Sequence, residues 1–173
     1  MAVGGFTLVE LVIAIVITAI LATVATLSYK PNEIKARYQS ERLRTDLRHA
    51  QMLALTQNAA LRFAVTAGTP GSYSVSTIGG VGTGPCTTSA LTDPATSAAF
   101  SVTPDSALTL AVVSGPASVD LDSLGRPAAC AGNPCTCALA TATEPVASYS
   151  IAGGASLYTV SLSRYSGFAT VTP

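Results

Sequence analysis

GFTLVELVIAIVITAILATVATLSYKP, residues 5–31, decides how the rest of the chain is read. Its only charged residues are Glu10 and Lys30. From Leu11 to Leu27, seventeen residues carry no charge, and three threonines are the only polar side chains; extended to Tyr29, the run is nineteen. A bilayer core about 30 Å thick takes roughly 20 apolar helical residues. No Gly or Pro interrupts the run before Pro31, so a helix can satisfy every backbone group within it, as lipid requires. A cleaved secretory signal would have a shorter apolar core, with basic residues ahead of it. Here no Lys or Arg precedes the run. The segment therefore reads as a retained membrane helix.

The remaining composition fits that reading. Of 173 residues, 49% are hydrophobic and 10% charged, against about 25% charged in an ordinary soluble domain. The charge is unevenly placed. Residues 30–62 hold seven basic and three acidic side chains, and residues 63–173 hold two and five. With Glu10 the net charge is zero. No strongly basic face is implied for the C-terminal part, so nucleic-acid binding has weak electrostatic support and DNA is not an expected partner.

Glu10 is the residue a simple anchor would lack. A carboxylate at the edge of an apolar run is costly and usually has a partner. Nothing basic lies within a helical turn of it, so the partner must come from a free N-terminus, another subunit or lipid headgroups. Orientation is in conflict. Lys30, Lys35, Arg37, Arg42, Arg44 and Arg48 follow the run, and a positive-inside count would hold the C-terminal part in the cytoplasm. The cysteines argue for the opposite side. Cys86, Cys130, Cys135 and Cys137 are even in number and lie in loop-like sequence, which in an exported chain reads as up to two disulfides. Zinc would need four Cys or His ligands at suitable spacing. The one histidine, His49, is on a helix far from them, so no metal and no cofactor are expected. Of three possible pairings, Cys86 with Cys135 or with Cys137 is favoured, Cys130 taking the remaining cysteine. A Cys135–Cys137 bridge would close a strained small ring.

Gly5-Phe6-Thr7-Leu8-Val9-Glu10, followed at once by the apolar run, resembles the processing and assembly signal of type IV prepilins and type II secretion pseudopilins. The resemblance implies a short leader, residues 1–5, removed between Gly5 and Phe6 by a prepilin peptidase that also methylates Phe6. It implies that Glu10 meets the N-terminal amine of a neighbouring subunit, since two buried opposite charges cost less together than apart. It implies a single pass through the inner membrane, N-terminus inside and C-terminal domain in the periplasm, followed by entry into a filament of pilin or pseudopilin subunits. That settles the orientation conflict against the charge count. Arg42 to Leu55, Val119 to Pro127 and Ser163 to Thr170 resemble segments of minor subunits of the H type and of the mannose-sensitive haemagglutinin type. Residues 68–100 resemble nothing that can be named.

The implied fold is α+β, a long N-terminal helix packed on a mainly antiparallel sheet. Residues 6–29 form the assembly helix, residues 30–60 its amphipathic half and residues 61–173 a β-rich head. In residues 31–60, Ile34, Tyr38, Leu43, Leu47, Ala50, Ala54 and Leu61 form an apolar stripe. Joined end to end, the two halves make a helix of about 55 residues, roughly 80 Å long, with any kink between Tyr29 and Asn32. Strands are expected at Leu61–Val65, Tyr73–Ile78, Leu108–Val113, Val119–Leu121, Ser148–Ile151, Leu157–Ser163 and Phe168–Val171. Turns are expected at Leu124–Pro127 and Tyr165–Gly167.

No catalytic motif stands out, and the chain is not expected to be an enzyme. Asp46 and His49, with Ser40 upstream, lack the pocket and oxyanion site a triad needs. Asp120 and Asp122 with Gly125 match part of a calcium loop. Leu124 and Ala131 stand where further ligands belong, so a strand end with a turn is the preferred reading. A structural filament subunit is the first reading. The alternative is a binding or adhesion module that presents the head to a surface, a glycan or DNA.

Overall fold

The computed structural model describes residues 7–28, 30–94, 96–140, 144 and 146–173. The chain divides into two compact units, residues 1–31 and 32–173, and each is described by itself.

The first unit is built on helix α1 (Leu8–Ser28). Thr7 starts it: its hydroxyl accepts the Glu10 N–H at 3.2 Å and its carbonyl accepts the Leu11 N–H at 3.2 Å. Inside α1, Thr18 Oγ1 donates to the carbonyls of Ala14 and Ile15, and Thr23 Oγ1 to that of Ala19. These hydroxyls are thus satisfied by the helix itself. Every described side chain of α1, from Leu8 to Val24, is exposed. At 1.5 Å per residue, 21 residues span about 32 Å. Among the described residues, however, no helix is long and apolar enough to cross a membrane. The spanning reading therefore rests on the sequence through Tyr29, which lies outside the described residues, as does part of the expected kink.

Helix α2 (Pro31–Gln57) belongs to the second unit from Asn32 on; Pro31 takes its first helical position, at which the missing N–H costs nothing. The strands follow in chain order: β1 (Ala60–Thr66), β2 (Ser72–Gly79), β3 (Thr87–Ala90), β4 (Ser101–Val102), β5 (Thr109–Ser114), β6 (Ser118–Leu121), β7 (Pro127–Ala131), β8 (Thr136–Leu139), β9 (Ala147–Gly153), β10 (Ser156–Leu162) and β11 (Ala169–Thr172). All seven expected strands form, with ends moved by a residue or two. They build two sheets where one was expected. The first runs β3-β2-β1-β6-β7-β8 with β4 on β2; the second runs β11-β10-β9-β5. All their strand pairings are antiparallel.

Both sheets share one apolar core with α2. Leu43, Leu47, Ala50, Leu53 and Ala54 of the helix meet Leu61, Phe63, Tyr73 and Leu121 from the first sheet and Leu110, Tyr149, Ile151 and Leu162 from the second. Each large side chain buried there contributes about 1.5–3 kcal/mol. The stripe differs from expectation at its start. Ile34 and Tyr38 are 64% and 68% exposed, and Ala36, Gln39 and Ser40 are buried instead. The reason is close approach. The β9–β10 turn presses on the first turns of α2, and a Cβ on Gly153 would lie 2.4 Å from the Asn32 carbonyl oxygen and 3.0 Å from Ala36 Cβ. At Ala36 only a small side chain fits beneath it.

Candidate functional site

The residues singled out by sequence fall in separate places along the chain. The processing site, Gly5 and Phe6, lies outside the described residues. Glu10 is in the first turn of α1, three residues after its capping threonine. Thr7-Leu8-Val9-Glu10 has the spacing of a capping box, a role for Thr7 that the sequence reading missed although the pattern is legible there. A carboxylate in the first turn also suits the positive end of the helix dipole. Among the described residues no basic group forms an ion pair with Glu10.

The four cysteines form two disulfides, Cys86–Cys135 and Cys130–Cys137. The segment expected to be a loop is a hairpin: β7 and β8 pair over four positions, with Cys130 directly opposite Cys137. Together with Ala60, Ile78 and Ala128 the cysteines make a second, small apolar cluster. Cys135 also pins the glycine-rich segment after β2. Its N–H donates to the Gly84 carbonyl, and its carbonyl accepts from the Gly82 N–H, both at 2.6 Å. Few apolar side chains are available here, and covalent closure stands in for them.

The two acidic residues of the partial calcium pattern are each engaged internally. Arg62 donates to both oxygens of Asp120, at 2.6 and 2.8 Å, and the Cys130 N–H donates to Asp120 Oδ2 at 3.3 Å. This hydrogen-bonded pairing raises the Arg62 guanidinium above its ordinary value. Asp122 closes the β6–β7 turn, accepting from the N–H groups of Leu124 and Arg126 and from Arg126 Nε. Leu124–Pro127 is therefore the expected turn, with Asp122 as its lock. Nor are Ser40, Asp46 and His49 brought together as a triad. Ser40 is buried and donates to the Arg37 carbonyl at 2.7 Å, whereas Asp46 accepts from the Tyr73 hydroxyl at 2.6 Å.

The basic residues of α2 divide between partners. Lys35 pairs with Asp105 at 2.8 Å, and that bond holds the exposed Asp105 carboxyl below its ordinary value. Arg44 stands 2.8 Å from Glu41. Arg48 lies 4.5 Å over the Phe168 ring and donates to the Ala169 carbonyl. Arg37 is exposed and has no ion pair among the described residues.

With that geometry in place, the comparisons with known proteins concern the N-terminus. Residues 1–26 match the family model described as the prokaryotic N-terminal methylation motif. The match takes in Gly5, Phe6, Glu10 and most of α1. No curated protein and no solved structure matches the chain.

Proposed function

We propose that this chain is a structural, non-catalytic subunit of a type IV pilus or type II secretion pseudopilus. The observation that carries the reading is the methylation motif placed directly on a helix whose described side chains are all exposed and nearly all apolar. An apolar helix exposed on every face must find lipid or other chains to cover it. In this reading a prepilin peptidase cuts after Gly5 and methylates Phe6. The helix then sits in the inner membrane, and the disulfide-bonded head lies in the periplasm, where such bonds persist. The likeness of residues 42–55, 119–127 and 163–170 to H-type and haemagglutinin-type minor subunits favours a minor role.

Assembly then turns on Glu10, which would pair with the N-terminal amine of a neighbouring subunit. Glu10→Ala is expected to leave the protein folded and membrane-bound while incorporation into sheared filaments falls by about a hundredfold or more, the scale of losing one partner of a buried ion pair. Normal incorporation would sink this role. Intact mass and N-terminal sequencing of the extracted protein test the processing step: the chain should begin at methylated Phe6, and a chain retaining residues 1–5 would count against it.

A further inference from the structure

One flank of α2 carries Arg42, Asp46 and His49, at helical spacings of four and three. It faces residues 93, 96 and 98–102, between the end of β3 and the end of β4. Between them is a cleft of about 430 Å³, lined also by Asp93, Thr96 and Phe100. Its outer wall is closed by its own bonds. Leu91 and Phe100 are buried anchors, and the Phe100 N–H donates to the Leu91 carbonyl at 2.8 Å. The Asp93 N–H donates to the Ala98 carbonyl, the Ser97 N–H to the Asp93 carbonyl, and Thr96 Oγ1 to Asp93 Oδ2.

The helix side is equally set. Tyr73, 1% exposed, donates to Asp46 Oδ2 at 2.6 Å, and Arg42 Nε is 3.7 Å from the same oxygen. The His49 ring tilts on Phe100 with centroids 5.7 Å apart. Among the described residues, nothing hydrogen-bonds to Asp46 Oδ1, to the Arg42 Nη groups or to the His49 ring nitrogens. Donors and acceptors left open, held by packed neighbours and converging on one cleft, are what a polar ligand requires.

We propose that this cleft is a saccharide-binding site taking a mono- or disaccharide. Two carboxylates stand against one guanidinium, which disfavours phosphate, carboxylate or nucleic-acid ligands. Among the described residues no three His, Cys, Asp or Glu side chains are grouped to hold a metal ion. A sugar hydroxyl both donates and accepts, so it can give its proton to Asp46 Oδ1 while accepting from Arg42. The apolar C–H face of a pyranose suits the His49 ring and its Phe100 support. The volume falls within the range of small-molecule pockets, about 300–1,000 Å³. The site does not depend on filament assembly.

The test uses the full chain in a detergent without a sugar headgroup. Saturation-transfer NMR is run with methyl mannoside, methyl galactoside, N-acetylglucosamine and their disaccharides, and with inorganic phosphate as the anionic probe. At least one saccharide should bind. Arg42→Ala and His49→Ala should each weaken it by about tenfold, the scale of one lost hydrogen bond to a charged group, with melting temperatures unchanged. Asp46→Asn also touches Tyr73, so the other two variants decide. Failure of every saccharide, wild-type affinity in both variants, or phosphate binding in preference to sugar would each overturn the assignment.

Discussion

Gly167 has no side chain because Gln51 occupies the space where one would go. The glycine adopts φ 64° in the β10–β11 turn, and a Cβ there would lie 2.1 Å from Gln51 Nε2, which donates to the Gly167 carbonyl at 2.5 Å. The turn glycine is thus needed twice, for its backbone and for its contact with α2. Gly167→Ala should lower stability by about 1–3 kcal/mol, the cost of a non-glycine residue in this region plus the displaced amide. Chemical denaturation of the single and of the Gln51→Ala double variant checks it. If the clash contributes, the double variant loses less than the sum of the singles.

At the scale of elements, the two disulfides do unequal work. Cys86–Cys135 spans 49 residues and Cys130–Cys137 spans 7. The chain-entropy account gives about 4 kcal/mol for the first loop and about 2 kcal/mol for the second. The long bridge also ties the glycine-rich segment after β2 to the β7–β8 hairpin, whose neighbours already hold the short bridge in register. Paired Ser replacements should therefore lower the urea midpoint more for Cys86/Cys135 than for Cys130/Cys137. The reverse order would mean that the hairpin depends on its own crosslink.

Across the whole molecule, the shared core protects two phenols. Tyr149 is fully buried against both sheets and Tyr73 nearly so, and burial raises both above the ordinary value of 10, with the bond to Asp46 adding to the effect at Tyr73. In the unfolded chain each would ionise near pH 10. Their contribution is complete below that value and is lost as pH rises through and beyond it, because the unfolded state releases protons the folded state retains. Alkaline unfolding should begin above about pH 10. The phenolate absorbance of Tyr73 and Tyr149, identified with single Phe variants, should appear together with loss of the tertiary dichroism signal. Ionisation of either while that signal persists would contradict the packing described.

By itself the sequence determined the parts that depend on near neighbours. The apolar run before Tyr29, the motif around Glu10, seven short β-rich runs, with period-two alternation in residues 157–162, and the turns at Gly125 and Gly167 are local patterns, and local patterns are legible because the chain meets its own next residues first. Only the tertiary structure decided the rest. The core face of α2 begins at Ala36 and not at Ile34, because the β9–β10 turn leaves no room for a larger residue. β7 and β8 are too short and too alanine-rich to announce themselves, and their pairing, next to β6, is what sets Cys130 opposite Cys137. Only the register of that hairpin decides between Cys135 and Cys137 as the partner of Cys86. The cleft joins α2 to residues more than forty positions away in a segment that resembles nothing named, and no spacing along the chain encodes a meeting that packing alone brings about.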